Sequence, residues 1–301
     1  MKRLFLILCL CVIGHMAFAQ QNPQFQELRD RIEHLEIITQ EDIPFPFDYE
    51  TDTAYKDQDA INVFYAALNK YQKNPNNFAA VFNYAMLVAR KSCSEGYTLG
   101  EREYDEAFRL FEKAKTLNGN YLPVYQEQER IIDMRLSYRY AFSSLSFSLA
   151  RKIESYLQYP DLARKKLEVI KQQIRLGGGD INYYDLVVIS HLFQRTEDVK
   201  KYWNRAGGTN IIQEEVDSSV AEIHYEFSTR IFYSENWQQH MGAIETAEKY
   251  VDLLKKYYGD YLQKADGYGV LLDHIREERE KAVKMRNQEF AENLGRCVNV
   301  K

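Results

Sequence analysis

The sequence predicts an all-α protein that contains repeated helices, and three observations lead to this prediction. The 301 residues include only 6 prolines and 14 glycines, so few positions interrupt a helix. No sustained alternation of apolar and polar residues indicates a strand. One spacing also recurs: a small residue, an aromatic residue four positions later, and a small residue three positions after that. It occurs at Ala60/Phe64/Ala67, at Ala107/Phe111/Ala114 and, with two substitutions, at Val199/Trp203/Ala206.

Apolar residues at helical spacing place the elements along the chain. Val81, Tyr84, Ala85 and Val88, for example, form one stripe at positions i, i+3, i+4 and i+7. The same reasoning predicts a helical pair across residues 183–206 that ends at Gly207. It also predicts helices over 27–38, 59–72, 78–91, 104–117, 122–140, 142–158, 162–175, 211–233, 236–258 and 260–294.

Three segments predict breaks between these helices. Two prolines within residues 41–48 exclude a helix there and predict an extended strap, which Phe45 and Phe47 would pin to the first repeat. The 22 residues from Ala85 to Ala107 predict an enlarged loop over residues 92–100 inside the second helical pair. Gly177–Gly179 predicts a C-cap leading into an N-cap at Asp180, because no Lys-Ser/Thr follows as a phosphate-binding loop would require.

The small–aromatic–small spacing resembles the second helix of a tetratricopeptide repeat. The stripe from Val81 to Val88 resembles the first helix of such a unit, and Val187 precedes Val199 by the 12 residues usual in the family. The resemblance implies an α-α superhelix, or solenoid, of helical hairpins with an N-terminal extended strap and longer C-terminal capping helices. The expected organisation is a signal peptide over 1–19, a helix and strap over 20–58, repeats over 59–206 and a capping region over 207–301.

In that family the first helix of each unit lines a concave groove that binds a partner protein or peptide. The resemblance therefore implies that Asn83, Arg90, Asp185 and His191 face such a groove. Aromatic clusters add candidate contacts at Tyr84, Tyr97, Tyr183, Tyr184 and Trp203. The expected function is a non-catalytic scaffold or adaptor. The 23 tyrosines leave open an alternative, a carbohydrate- or small-ligand-binding protein with a tyrosine-rich concave surface.

The first 19 residues have the features of a secretory signal peptide. Lys2 and Arg3 precede an apolar stretch over 4–13, and Ala17-Phe18-Ala19 is a small-x-small cleavage site. The apolar stretch is too short to span a membrane. No later stretch approaches 18 uncharged apolar residues, so we expect no membrane insertion of the mature chain. The signal is typical of bacterial export. We expect a periplasmic protein, with an outer-membrane-associated or a secreted protein as alternatives.

Two cysteines remain after cleavage, Cys93 and Cys297. An exported protein can join them in a disulfide, but residues so far apart in a repeat array meet only if the C-terminal segment folds back. Both the bridge and two free thiols stay open.

Charge and motif content argue against several function classes. Cleavage removes two basic residues and no acidic ones from a chain of formal charge −5, and an acidic surface argues against nucleic acid as a partner. We expect no metal and no cofactor, because His274/Glu278 and Glu222/His224/Glu226 are interpreted as surface helix residues. No catalytic motif is present in sequence, so we predict no enzyme; a site assembled from distant residues is the remaining alternative.

Overall fold

The computed structural model describes residues 22–44, 58–90, 101–137, 148–179 and 181–298. Within these ranges the chain forms helices and connecting loops and no strand, which confirms the all-α class. The helices are α1 (Pro23–Glu33), α2 (Gln58–Lys73), α3 (Phe78–Val88), α4 (Glu101–Leu117), α5 (Leu122–Ser137), α6 (Leu149–Gln158), α7 (Pro160–Arg175), α8 (Tyr183–Leu192), α9 (Thr196–Tyr202), a 3₁₀ helix (Trp203–Ala206), α10 (Gly208–Phe232), α11 (Trp237–Leu262) and α12 (Tyr268–Val298).

The chain divides into two compact units. The first unit comprises Met1–Phe142 and Gln172–Gly178, and the second comprises Ser143–Lys171 and Gly179–Lys301. The last turn of α7 therefore belongs to the first unit and the rest of that helix to the second. The limits predicted for the repeat and capping regions stay predictions.

In the first unit, helices that follow one another in the chain pack against one another. α1 packs on α2, α2 on α3, α3 on α4 and α4 on α5. α3 is the centre of this arrangement, because every residue from Ala79 to Val88 is buried. A helix buried all round needs neighbours on several sides. α3 is thus the element around which the first unit is built.

The second and third copies of the small–aromatic–small spacing differ in the structure. Ala107, Phe111 and Ala114 are fully buried on α4, and the Phe111 ring meets Phe82 of α3 edge to face with 5.9 Å between centroids. The third copy differs from the prediction. α9 ends at Tyr202 and a 3₁₀ helix takes over at Trp203, so the spacing does not continue on one α-helical face. The tightening precedes Gly207, whose left-handed φ of 92° ends the helical run.

α1 ends five residues before the predicted end at Ile38. Leu35 adopts a left-handed φ of 59°, its N–H donates to the Ile32 carbonyl, and the Glu36 N–H donates to the Arg31 carbonyl. These two bonds form a Schellman C-cap, which usually has a glycine at this position. Because a leucine stands there, the sequence contains no stop signal and the predicted helix is too long.

The predicted C-cap after α7 is confirmed. Gly177 has a φ of 73°, and the N–H groups of Gly177 and Gly178 donate to the carbonyls of Ile174 and Gln173. The predicted N-cap of the next helix is wrong. Asn182, not Asp180, caps α8, and its side-chain oxygen accepts from the Asp185 N–H.

In the second unit the long helices pack in chain order, α10 on α11 and α11 on α12, while α6 contacts α8, α10 and α11. α12 has a buried stripe at Leu271, Ile275, Glu278 and Ala282, beyond which its residues are half-buried or exposed as far as residue 293. Across the described ranges, no helix is both long enough and apolar enough to cross a membrane.

Candidate functional site

Asn83, predicted to face a binding groove, lies in the middle of α3 with only 2% of its surface exposed. Its Oδ1 accepts a hydrogen bond from the Ile38 N–H at 3.1 Å, and its Nδ2 donates to the Glu36 carbonyl at 2.6 Å. Both backbone groups belong to the stretch after α1 that is neither helix nor strand. One buried amide thus binds a donor and an acceptor of the same backbone stretch, which an amide can do because it carries both functions.

Residues Glu36–Ile43, called the strap segment below, form this stretch. The extended strap predicted at 41–48 is wrong where the structure describes it, because the chain turns there: the Asp42 N–H donates to the Thr39 carbonyl and the Ile43 N–H to the Gln40 carbonyl. Phe45 and Phe47 lie outside the described residues. Arg31 of α1 donates to the Ile37 carbonyl at 2.8 Å and pairs with Asp42. The strap segment is therefore held by polar contacts from both α1 and α3.

A cavity of about 490 Å³ borders the strap segment on the side of α3 and α5. Its volume lies within the range of ligand-binding clefts. Aliphatic, aromatic and charged side chains share its wall, so it offers both apolar surface and polar anchors. The lining residues are Ile38, Thr39, Gln40, Glu41, Phe82, Met86, Tyr121, Pro123, Gln126, Glu127 and Arg130.

The charged side of this cavity is an ion-paired cluster. Glu127 accepts from Arg90 at 3.2 Å and from Arg130 at 2.7 Å, and Arg130 also donates to the Ala89 carbonyl at 3.2 Å. Burial and the neighbouring Arg130 lower the pKa of Arg90 to about 10, although Glu127 opposes the shift. Arg90, predicted to hold a partner's backbone or carboxylate, is thus engaged by a carboxylate of its own chain.

Tyr84 belongs to the packing between α2, α3 and α4. Its ring stacks on Tyr71 with 5.3 Å between centroids, and its hydroxyl donates to Glu106 at 3.0 Å. Burial, followed by the nearby Glu106 carboxylate, raises the pKa of this hydroxyl. Tyr84 is not among the residues that line the cavity. Tyr97 lies outside the described residues.

The remaining predicted site residues lie in the second unit, where Asp185 is part of a buried ion cluster. The carboxylate is 3% exposed, accepts from Lys152 at 3.0 Å and from the Asn182 amide at 2.8 Å, and pairs with Lys166. Burial alone would raise the pKa of Asp185, but the two ammonium groups hold it well below its usual range. The cluster joins α6, α7 and α8.

The aromatic residues predicted beside Asp185 contact one another or neighbouring helices. The Tyr184 hydroxyl donates to Glu215 of α10 at 3.2 Å, and burial raises its pKa. His191 stacks on Tyr258 of α11 at 5.2 Å, and burial lowers the pKa of its imidazole. Two further pairs have longer centroid distances, Trp203–Tyr261 at 6.5 Å and Tyr183–Tyr202 at 5.9 Å.

The sequence did not predict a group of polar contacts between α10, α11 and α12, in which His240 and Glu278 are buried. His240 contacts Glu278 at 2.8 Å through Nε2 and Ser234 at 2.8 Å through Nδ1, while His224 contacts His274 at 3.1 Å. The interpretation of Glu278 as a surface residue is wrong. Its burial could have been predicted from the sequence, because Glu278 lies at helical spacing on the apolar stripe of α12.

Glu222 and Glu226 likewise face the interior, because both pair with the buried Arg151 of α6. In the part of the chain that the structure describes, no three histidine, cysteine, aspartate or glutamate side chains are grouped so that they could hold a metal ion. Cys93 lies outside that part, and the side chain of Cys297 is not described either, so the disulfide stays a prediction.

Comparison with protein-family models, with curated proteins and with solved structures finds no match to this chain. The tetratricopeptide resemblance therefore stays a prediction. Function is inferred from the geometry of the site, since a helical architecture alone does not define an activity.

Proposed function

We propose that this protein is a non-catalytic interaction scaffold or adaptor of the bacterial cell envelope. It binds an extended segment of a partner protein or peptide on the face formed by α3 and α5 in the first unit. The observation that supports this most strongly is the buried Asn83 amide, which bonds the Ile38 N–H and the Glu36 carbonyl of a backbone stretch that is neither helix nor strand. A face that binds the backbone of one such segment has the chemistry to bind another.

The adjacent cavity supports the same function. Hydrogen bonds from an amide to a partner's backbone give affinity that does not depend on the partner's sequence. A pocket beside the amide gives specificity, because it accepts only some of the partner's side chains. The rings of Phe82 and Tyr121 and the aliphatic chain of Met86 provide the apolar wall of such a pocket. The charged residues of its wall are Glu41, Glu127 and Arg130, and Glu127 is paired with both Arg130 and Arg90.

The first test is site-specific photocrosslinking in intact cells. A photoreactive amino acid replaces Gln126, an exposed residue of α5 that lines the cavity. The matched control carries the same group at Lys73, an exposed residue at the end of α2 that does not line it. We expect a protein adduct from position 126 that is absent from position 73.

The Asn83→Leu substitution sharpens this test, because it removes the backbone-binding amide. We expect it to abolish the adduct at position 126 while the chain still accumulates. Equal adducts at both positions, or none from position 126 in a folded chain, would contradict the proposed function.

A further inference from the structure

We propose that the strap segment occupies the partner-binding face in the free chain and is displaced when a partner binds. The partner presents an extended segment with a β-branched aliphatic residue in the place of Ile38. This inference rests on the proposed function and adds the chemistry of the partner and the event that precedes its binding.

The way the strap segment sits on α3 supports an exchange. Both polar atoms of the Asn83 side chain are engaged by Glu36 and Ile38, and the Ile38 side chain is 0% exposed. A partner that uses the same amide must first displace these residues. Two extended segments cannot occupy one buried amide and one side-chain site together.

The strap segment itself is sparsely packed. Of its eight residues only Ile38 and Ile43 are buried, and Thr39, Gln40 and Glu41 are exposed although all three border the cavity. Its entry at Leu35 uses a left-handed φ of 59°, a conformation that residues other than glycine rarely adopt. Its release exposes the two buried aliphatic side chains, Ile38 and Ile43.

Asp42 connects the strap segment to α1 through an ion pair and also binds Thr39 within the segment. Its carboxylate accepts hydrogen bonds from the Thr39 N–H and the Thr39 hydroxyl, the latter at 2.8 Å, and pairs with Arg31 of α1. Arg31 in turn donates to the Ile37 carbonyl at 2.8 Å. An Asp42→Asn substitution keeps the size of this side chain but removes the charge that the guanidinium binds.

The partner chemistry follows from the residues that occupy the face. Ile37, Ile38 and Thr39 are three consecutive β-branched residues, which favour an extended backbone. The site that Ile38 fills is fully buried, so it accepts an aliphatic rather than a charged side chain. A short extended run of isoleucine, valine or threonine therefore fits the face.

The test measures binding of a fluorescent synthetic peptide with the sequence of residues 35–44 to the full chain by fluorescence anisotropy. We expect the Asp42→Asn variant to bind about ten-fold more tightly than the unmodified chain, because loss of a charged hydrogen bond raises the fraction of chains with a released strap segment. The matched control is Lys73→Ala, an exposed change at the end of α2 that does not line the cavity, which should leave the affinity unchanged.

A second probe controls for folding of the variants. The same peptide with aspartate in place of the residue equivalent to Ile38 should bind none of the proteins, since a charge would enter a fully buried site. Equal binding of the original peptide to the unmodified, Asp42→Asn and Lys73→Ala chains would overturn the internal competition and leave the proposed function standing. Binding to none of the folded chains would overturn the assigned partner chemistry, and the adduct at position 126 then decides separately on the proposed function.

Discussion

Burying the amide of Asn83 costs free energy unless both of its polar atoms have partners. The partners are backbone groups of residues more than 40 positions earlier in the chain, Glu36 and Ile38. The two bonds fix the strap segment to the centre of the first unit. Asn83 therefore contributes to stability and defines the proposed binding face with the same atoms.

Replacing Asn83 by leucine should lower the free energy of unfolding by about 2–3 kcal/mol, because it leaves the Ile38 N–H and the Glu36 carbonyl without partners. Urea unfolding followed by circular dichroism measures this difference. Gln126→Leu makes a similar amide-to-aliphatic change at an exposed site, and it should stay within about 0.5 kcal/mol of the unmodified chain. Equal effects of the two substitutions would show that the amide bonds do not hold the strap segment.

Asp185 illustrates a buried charge with a purely structural role. Asp185→Asn leaves the fully buried Lys166 ammonium without its main compensating charge, so we expect a loss of about 3–5 kcal/mol. Both tryptophans, Trp203 and Trp237, lie in the second unit, so their fluorescence follows the unfolding of the unit that contains Asp185. Glu197→Gln, in an exposed ion pair with Lys200, is the control and should change stability by less than about 1 kcal/mol.

The Asp185 carboxylate also predicts how the stability of the chain changes in acid. The folded-state pKa of Asp185 is lowered from the ordinary value of 3.8, so its contribution is fully present above that value and is lost as the pH falls towards the folded-state pKa. The difference in stability between the unmodified chain and Asp185→Asn should therefore shrink below about pH 4. A constant difference from pH 7 to pH 3 would contradict the ion-pair account.

At the scale of the elements, three helices end with the same Schellman turn but with different residues at its left-handed position. Leu35 and Gln194 occupy it after α1 and α8, and Gly177 occupies it after α7. At Gln194, the N–H groups of Gln194 and Arg195 donate to the carbonyls of His191 and Ser190. A side chain at such a position costs free energy that glycine avoids.

Gln194→Gly should accordingly raise the free energy of unfolding by about 0.5–1 kcal/mol, since this residue is exposed and has a φ of 57°. Gln194→Ala retains the β-carbon and should give no such gain. Thermal unfolding of the two variants side by side measures the effect. A gain from alanine equal to that from glycine would show that backbone strain is not the cause.

The packing of His224 between α10, α11 and α12 predicts that mild acid lowers the stability of the folded chain. Burial, with a smaller effect from His274, lowers the pKa of His224 below the ordinary 6.5, so the folded chain prefers the neutral ring. Below pH 6.5 the unfolded chain binds the proton more readily, and stability falls as the pH decreases. His191, whose pKa burial also lowers, acts in the same direction.

We expect the unmodified chain to lose stability between pH 7.5 and pH 5.5, and His224→Gln to lose less over that interval. Urea midpoints at the two pH values provide the measurement. His34→Gln, at the exposed end of α1, should retain the full acid effect. An identical acid loss in His224→Gln would assign the effect to other groups.

Local patterns in the sequence predict most of the helices, because helical spacing of apolar residues is a property of the segment itself. They do not predict where α1 ends, since a leucine occupies the left-handed cap, nor which residue caps α8. The site is harder still. Asn83 was identified by its position on a first helix, but its partners are backbone groups that carry no sequence signature. The burial of Glu278 depends on packing between distant helices.

For the whole molecule, the described structure places the predicted site residues in two different compact units. Asn83, Tyr84 and Arg90 belong to the first unit, and Asp185 and His191 to the second. In the second unit these residues and their aromatic neighbours make ion pairs, hydrogen bonds and ring contacts between helices. The binding face is therefore assigned to the first unit.

The exported state is a second expectation for the whole chain. We predict that the native protein lacks residues 1–19 and begins at Gln20 or Gln21, because cleavage follows the small-x-small site at Ala17–Ala19. Mass spectrometry of the intact native protein measures the mature terminus. A native mass that still includes residues 1–19 would contradict export by this signal.

The central claim is that a partner segment replaces the strap segment on Asn83, and hydrogen exchange of the Ile38 amide tests it most directly. This N–H donates to Asn83 in the free chain and should exchange slowly. Adding the synthetic peptide of residues 35–44 should accelerate exchange of the chain's own Ile38 amide as the strap segment leaves the face. Unchanged or slower exchange while the peptide is bound would contradict the claim.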